Sequence, residues 1–506
     1  MPINQLKAGA ILNYIIIGLN MLVGVLYTPY MLRMLGQSDF GLYSLVASVI
    51  AYLTIMDFGF GNAIIRYTAK FRAEGKTEEQ YAMFGMFIVL YSVIGLLAFC
   101  AGLGLYFNVD TLFGDTMTDA ELSKARIMML ILSFNLAVTF PFSIFSSIIT
   151  AYEDFVFQKS VNIIRIILNT IVMIGLLHFG YKAIALVVVQ TIFNLLTLLL
   201  NLFYCRWKIK IKIVFDHFQW GFLREVAVYS FWVFLAVIMD RLYWSSGQFV
   251  LGATSGTAEV AIFSVAIQLK IMFYAFSTAI AGVFLPKVTA MISNGASNDE
   301  ISSLFIRVGR IQYIILAFIL TGFILLGRPF VNLWAGENYD EAYPIALLFM
   351  VASLPDLIQN IGITILMARN ELKYRSILLV SWAMVGVLLS ILLSHWWGML
   401  GCAIAISIGL IGGQGIMLNI YYKRKINLDI LRFWLEIMKM SVIPIIIIAL
   451  GFMILKQVPV VTSGQFASAA TVLTLIYIPL FFRFSLNGYE RGLLKSMLHV
   501  SPICRK

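Results

Sequence analysis

Charged side chains within long apolar stretches are the residues of this 506-residue chain best placed to do chemistry. Asp57, Lys270 and Asp356 each fall near the middle of such a stretch. An ionisable group at that depth in a bilayer costs several kcal/mol unless it faces protein or water. These three positions are therefore candidates for contacting a charged substrate or a coupling ion.

Arginines at other depths extend this set of candidates. A guanidinium presents a fork that matches phosphate oxygens, whereas Lys supplies a point charge, so a cleft lined by both suits an anionic head group. The candidate substrate-binding residues are Arg66, Arg165, Arg241 and Lys270. The candidate ion-coupling carboxylates are Asp57, Asp240 and Asp356.

Structural roles remain open for several of these charges. Arg66 can snorkel to the membrane surface together with its basic neighbours Lys70 and Arg72. Asp240 and Arg241 can form a local ion pair, although adjacent helical residues do not face each other. Arg165 is as compatible with a structural role as with a functional one.

Two glycines follow Asp57 and predict a flexible point in that stretch. Asp57 and Arg66 are nine residues apart and lie on opposite faces of a straight helix, so only a bend brings them to one cavity. Gly59 and Gly61 supply such a bend and are the candidate gating residues. We expect alanine at both positions to trap one access state. Asp57 itself needs neutralising by a proton, an ion or a cation such as Lys270.

The elements that must position these residues are membrane helices. Apolar residues make up 61% of the chain and charged residues 12%, against about 25% in soluble domains. We expect an all-α integral membrane protein with fourteen transmembrane helices. The predicted spans are 8–33, 40–70, 82–107, 122–152, 157–179, 181–204, 222–251, 259–292, 303–327, 341–368, 374–395, 398–422, 433–456 and 464–484.

Composition and motifs argue against an enzyme, a metal protein or a nucleic-acid binder. The four cysteines are far apart, and no P-loop, G-x-S-x-G or H-E-x-x-H pattern occurs. Most Lys and Arg fall on one side of the predicted spans, which explains the net charge of +11 by topology and places both termini in the cytoplasm.

A repeat divides the predicted spans into two copies. Residues 39–47, DFGLYSLVA, have a counterpart at 259–266, EVAIFSVA, and both follow a Leu-Gly pair. An even number of spans per copy gives both copies one orientation, which is a parallel repeat. The predicted domains are two six-helix bundles at 1–216 and 217–430, spans 13 and 14 at 431–486, and a cytoplasmic amphipathic tail at 487–506.

With these features the chain resembles the polysaccharide flippases (Wzx-like) of the multidrug/oligosaccharidyl-lipid/polysaccharide exporter superfamily. The resemblance rests on Leu35-Gly36, on residues 39–43, on Asp57-Phe58-Gly59 with the later Arg66, and on the 6 + 6 + 2 layout. It implies a V-shaped pair of bundles that opens alternately to either side of the bacterial cytoplasmic membrane.

The resemblance also implies the substrate and partners. The substrate is an undecaprenyl-diphosphate-linked oligosaccharide, moved from the inner to the outer leaflet for surface polysaccharide such as O-antigen, lipopolysaccharide or capsule. Polysaccharide polymerase and chain-length proteins are the implied protein partners. No cofactor is expected beyond a coupling ion, H⁺ or Na⁺.

Three alternatives stay open at this point. A drug or cation antiporter of the same fold is expected to have a site dominated by acidic residues, whereas the candidate charges identified within the spans here are four cationic residues against three acidic ones. A flippase for the peptidoglycan lipid precursor shares the layout of spans. A scaffold subunit of a polysaccharide assembly complex is the third alternative.

Overall fold

Helices make up the computed structural model over the residues that it describes, which are 4–215, 220–369, 371–457 and 460–492. No strand occurs among these residues, so the predicted all-α class is confirmed. The helices are α1 (Gln5–Leu53), α2 (Phe60–Ala73), α3 (Thr77–Phe107), α4 (Val109–Phe113), α5 (Asp119–Ala151), α6 (Phe155–His178), α7 (Ala183–Tyr204), α8 (Trp220–Trp244), α9 (Ser246–Thr254), α10 (Thr257–Ser293), α11 (Asn298–Trp334), α12 (Ala342–Ile358), α13 (Ile361–Ala368), α14 (Leu372–Leu410), α15 (Leu418–Arg424), α16 (Ile430–Gln457) and α17 (Ser463–Phe484).

Eleven helical segments of the described chain are long and apolar enough to cross a membrane, or up to thirteen if each of two bent pairs is one span. The eleven are Lys7–Leu35, Gln37–Ala73, Thr77–Phe107, Asp119–Ala151, Phe155–His178, Ala183–Ile209, Thr257–Thr278, Asn298–Trp334, Lys373–Arg424, Ile430–Gln457 and Ser463–Phe484. The bent pairs are Gly221–Val228 with Ser230–Thr254 and Ala342–Ile358 with Ile361–Ala368.

One of these segments is interrupted. Lys373–Arg424 is 52 residues long, and within it Trp397 and Gly398 have non-helical backbone angles, with φ of 51° at Gly398. The predicted spans 374–395 and 398–422 meet at this point. The total of fourteen spans and the parallel repeat stay predictions.

The chain divides into two compact units. The first unit comprises Met1–Gln268 and Ser376–Gly409, and the second comprises Leu269–Arg375 and Leu410–Lys506. The predicted domain limits after residues 216, 430 and 486 describe sequence repetition, which is a different property from compactness, and they stay predictions.

Aromatic residues and small residues build the core of the first unit. Tyr91 and Phe87 of α3 are fully buried and pack with Phe60 and Phe140. Gly95 lets α3 approach α5 closely, since a Cβ there would lie 2.5 Å from the carbonyl oxygen of Ala137. Close packing of this kind drives helix association in lipid, where apolar burial gives no advantage.

The two stretches predicted to be repeat copies touch each other within the first unit. A Cβ at Gly41 of α1 would overlap the carbonyl oxygen of Thr257, at the start of α10. Glu121 joins the same point, because its Oε1 accepts hydrogen bonds from Ser38 Oγ at 2.5 Å and from Thr257 Oγ1 at 2.8 Å. Glycine at position 41 is therefore required for this helix crossing.

A buried ion network holds the second unit together at its C-terminal end. The Nε of Arg310 lies 2.5 Å from Glu490 Oε1, and the exposed fractions of the two side chains are 5% and 1%. The same guanidinium donates to Glu436 Oε2 at 2.7 Å. Glu490 belongs to the tail predicted as a surface helix, and here its start is anchored inside the bundle. Residues 493–506 of that tail, with Leu493, Leu494, Met497 and Leu498, lie outside the described residues.

Replacing Glu490 with alanine should lower stability strongly, because it leaves the charge of Arg310 buried without this partner. Breaking a buried pair in this way costs about 3–5 kcal/mol. The control is Lys439→Ala, which removes the exposed Lys439–Glu436 pair at 2.8 Å and should cost less than about 1 kcal/mol. Thermal unfolding of the purified protein in detergent measures both. Equal melting temperatures for the two variants would contradict the anchoring role.

Candidate functional site

The second membrane segment is broken beside Asp57. After α1, a short 3₁₀ turn covers Thr54–Asp57, and Phe58 and Gly59 then have left-handed backbone angles with φ of 51° and 74°. α2 starts at Phe60. The flexible point predicted from the glycines is thus a fixed break in the helix, with Thr54 at one end of the turn and Asp57 at the other.

The two predicted gating glycines have different surroundings. Gly59 has positive φ, and a Cβ there would lie 2.9 Å from Val233 Cβ and 3.2 Å from the carbonyl oxygen of Ser230. Gly61 lies inside α2, and a Cβ there would be at an ordinary 3.6 Å from Ser147 Oγ. Only Gly59 is needed for the break.

Asp57 is held by groups of its own unit. The hydroxyl of Tyr91 donates a hydrogen bond to Asp57 Oδ1 at 2.7 Å, and the backbone N–H of Gly59 also donates to this carboxylate. Buried polar groups in a membrane need such partners. The carboxylate is therefore positioned by the core of the bundle and by the break in the helix together.

A polar cavity of about 570 Å³ lies within the first unit, among α1, α5, α6 and α7. Such a volume is within the range of about 300–1,000 Å³ found for ligand pockets. Of the described residues in its wall, Arg165 is the single charged one. The polar side chains that share the wall with it are Asn20, Tyr43, Thr54, Asn135, Thr139, Asn169, Thr170, Gln190 and Asn194.

Hydrogen bonds order one part of the cavity wall, and another part has hydrogen-bonding capacity that is not used. Asn194 Nδ2 donates to Asn135 Oδ1 and to Thr139 Oγ1, each at 2.8 Å. Asn169 Oδ1 is buried and has no hydrogen-bond partner within the described part of the chain. A fixed set of amides and hydroxyls with a spare acceptor can bind the hydroxyl groups of a sugar.

The predicted cations of the first unit differ in their relation to this cavity. Arg165 donates to Asn162 Oδ1 at 3.0 Å and faces the cavity. Arg241 Nε donates to Thr54 Oγ1 at 3.1 Å, and Thr54 is part of the cavity wall. Asp240 lies 3.5 Å from Arg241, so the local ion pair left open by the sequence is present. Thr54 therefore links Arg241 to the cavity.

The surroundings of Arg66 differ from those of Arg165 and Arg241. Arg66 is exposed, lies in α2, and its guanidinium carbon is 5.9 Å from the ring centroid of Tyr67. The hydroxyl of Tyr67 donates to Glu225 at 2.9 Å. Arg66 is not in the wall of the polar cavity, and its substrate-binding role stays a prediction.

The remaining candidates meet in the second unit. Lys270 is 4% exposed, and its Nζ lies 3.8 Å from the ring centroid of Tyr274. Asp356 is within electrostatic reach of both Lys270 and Arg375. Arg375 is buried, and its Nε has no hydrogen-bond partner among the described residues. Lys270 and Asp356 were predicted for different roles, and the structure places them in one charged cluster with Arg375.

Sequence reasoning missed Arg375 and the uncharged cavity wall. Arg375 is the second residue of the predicted span 374–395, a position at which a cation is expected to lie at the membrane surface. The wall residues carried a weak signal, because Asn135 and Thr139, and likewise Gln190 and Asn194, are four residues apart and share one helix face. A search for charged residues alone does not find these uncharged residues of the cavity wall.

Substituting Asp57 with asparagine tests the predicted coupling role. Asparagine can still accept the hydrogen bond from Tyr91 but does not titrate, so we expect transport to continue without dependence on an imposed gradient. Uptake of a labelled lipid-linked oligosaccharide in proteoliposomes, with and without a pH or sodium gradient, measures this. Tyr91→Phe is the control, since it removes the hydrogen bond and keeps the carboxylate. An unchanged gradient response in Asp57→Asn would reduce Asp57 to a structural role.

Comparison with known proteins identifies relatives over most of the chain. Residues 6–292 match the family model described as polysaccharide biosynthesis protein. An uncharacterized membrane protein EpsK of Bacillus subtilis (strain 168) is 23% identical over 425 residues, which is 80% of this chain and 81% of that protein. A putative O-antigen transporter of Shigella flexneri is 22% identical over 400 residues, which is 77% of this chain and 91% of that protein.

The fold also occurs among solved structures. A structure described as the lipid II flippase MurJ in an inward closed conformation has a TM-score of 0.70 and 18% identity. The match covers 94% of this chain and 98% of that chain. At this identity the likeness shows a shared fold.

Proposed function

Since this chain belongs to the polysaccharide biosynthesis protein family, as the resemblance predicted, we propose that it is a flippase for a lipid-linked oligosaccharide. The substrate is an undecaprenyl-diphosphate-linked oligosaccharide that moves from the cytoplasmic to the outer leaflet of the bacterial inner membrane by alternating access. In this proposal the chain has fourteen spans with both termini in the cytoplasm.

The polar cavity of the first unit is the observation that carries this proposal. Its wall combines one guanidinium with amide and hydroxyl side chains in an otherwise apolar bundle. The guanidinium of Arg165 suits a phosphate oxygen, and the amides and hydroxyls suit sugar hydroxyls. The polyprenyl chain is apolar and can stay in the lipid, so it needs no place in this cavity.

The composition of the same cavity wall argues against a cation antiporter. A site for an organic cation is expected to be dominated by carboxylates, and the one charged residue among the described residues of this wall is itself a cation. The peptidoglycan lipid precursor remains an alternative substrate, since it also presents a diphosphate and sugars to the protein. Asp57, Asp240 and Asp356 are the proposed H⁺ or Na⁺ coupling sites.

Complementation distinguishes these functions. The chain is expressed in a strain that lacks its polysaccharide flippase and, in parallel, in a strain depleted of its peptidoglycan-precursor flippase. We expect surface polysaccharide to return in the first strain and no growth rescue in the second. Rescue of the second strain alone would favour the peptidoglycan precursor. Failure in both, with the protein present in the membrane, would contradict the flippase assignment.

A further inference from the structure

Four cations follow the end of α7 in a segment that the proposed function does not use. This basic ridge consists of Arg206, Lys208, Lys210 and Lys212, and all four side chains are exposed. The residues that alternate with them after Trp207 are Ile209, Ile211 and Ile213, which pack against the hydrophobic core of the first unit. The sequence CRWKIKIKI thus divides into a buried apolar set and an exposed cationic set.

Backbone contacts fix this segment to the bundle. The N–H of Val214 donates to the carbonyl oxygen of Tyr81 at 3.3 Å, and a Cβ at Gly85 of α3 would overlap the carbonyl oxygen of Val214. The thiol of Cys205, at the other end, donates to the carbonyl oxygen of Phe145 at 3.4 Å. The ridge is therefore held in place on α3 and α5.

Lys210 has an unfavourable backbone conformation at its position in the ridge. Its φ of 58° and ψ of 40° are left-handed, a conformation that favours glycine and is unfavourable for residues with a Cβ atom. A glycine or asparagine would make this turn with less strain. A lysine in a left-handed turn is therefore a reason to look for a role of its side chain.

Exposed aromatic residues show the depth at which the ridge lies. Trp207 and Phe215 are 73% and 67% exposed and bracket the ridge, and Phe203 of α7 is exposed as well. Tryptophan and other aromatic rings at the end of a membrane helix are typical of the layer between hydrocarbon and water. Trp207, directly after α7, favours a position of the ridge at the level of the lipid head groups.

We propose that the basic ridge binds the head groups of anionic phospholipids in the leaflet where α7 ends. Within the described residues, none of its four cations forms an ion pair with a carboxylate. Clusters of four or more cations next to a membrane helix attract anionic lipid. Topology alone explains an excess of positive charge on one side, but it does not require a lysine in a strained turn.

Quenching of a fluorophore at position 207 tests this inference independently of transport. The full chain, with Cys100, Cys402 and Cys504 replaced by alanine, the buried Cys205 retained and Trp207→Cys labelled with bimane, is reconstituted in vesicles containing brominated phosphatidylglycerol or brominated phosphatidylcholine. We expect stronger quenching by brominated phosphatidylglycerol at equal content, and a decrease of this preference with salt. Equal quenching by the two lipids would overturn the proposal.

Lys210→Gly is the decisive variant because it relieves the strained turn while it removes the cation. We expect it to melt no lower than the parent chain and to lose up to about fivefold in preference for phosphatidylglycerol. Lys210→Arg should keep the preference. The matched control is Lys425→Gly in the separate basic run of Lys423, Arg424 and Lys425, which should leave quenching at position 207 unchanged. An equal loss in this control would show that total charge alone is responsible and would overturn the assignment to the ridge.

Discussion

Arg165→Ala is expected to reduce export of the lipid-linked saccharide by about 100-fold or more while the protein remains in the membrane. Arg165 is the single charge that the described residues contribute to the wall of the polar cavity. Two charge-assisted hydrogen bonds to a phosphate contribute about 1.5–3 kcal/mol each, and every 1.4 kcal/mol is a factor of ten. Surface polysaccharide in the complemented strain, normalised to protein level, measures the loss.

The controls for this prediction separate charge from geometry. Arg165→Lys keeps the charge but loses the fork, so we expect export between that of the parent chain and that of the alanine variant. Arg126→Ala removes an exposed arginine that pairs with Asp110, and it should export normally. Full export from Arg165→Ala would exclude the cavity from the substrate path.

The roles of Arg241 and Lys270 in export are tested with different kinds of substitution. Arg241→Ala should also abolish export, since Arg241 reaches the cavity wall through Thr54. Lys270 is buried within reach of Asp356, so its removal alone leaves that carboxylate with one cation fewer. Lys270→Met with Asp356→Asn removes both charges at once. Normal export from this double variant would give the pair a structural role.

Gly59→Ala is the second substitution with a large expected effect. Its φ of 74° is unfavourable for alanine by about 1–2 kcal/mol, and the new Cβ would also press on Val233 and on the backbone at Ser230. We expect the break next to Asp57 to shift, with at least a tenfold loss of export. The measurement is export at matched protein level, together with the melting temperature in detergent.

Gly61→Ala is the matched control two residues away. Gly61 lies within α2, and a Cβ there would make only ordinary contacts, so alanine should stabilise the helix by about 0.5–1 kcal/mol. Export within about fivefold of the parent chain is expected, as a shift of this size biases a two-state transporter only modestly. An equal loss in both variants would show that straightening of the whole segment, and not the break at Gly59, determines activity.

The sequence by itself determined the class of this protein. Its apolar composition and long helical stretches predict a membrane protein, because a spanning backbone must satisfy its hydrogen bonds within a helix or a closed barrel. The stretch from Leu35 to Arg66 carried the family resemblance, which the family match confirms. The sequence also identified Asp57 and Gly59 as candidates. A charged residue in the middle of an apolar stretch, with a glycine close to it, can be recognised without knowing which residues are in contact.

Only the tertiary structure decided which residues share a site. Helix packing brings Arg165 into one cavity with amides from α1, α5 and α7, and no local pattern encodes which helix faces meet. It separates Gly59 from Gly61 by backbone angle, which composition does not reveal. It also brings Lys270, Asp356 and Arg375 together across more than 100 residues of sequence. The positions of these residues depend on long-range packing, whereas membrane insertion depends on local hydropathy. A single sequence shows local hydropathy directly, but it does not show long-range packing.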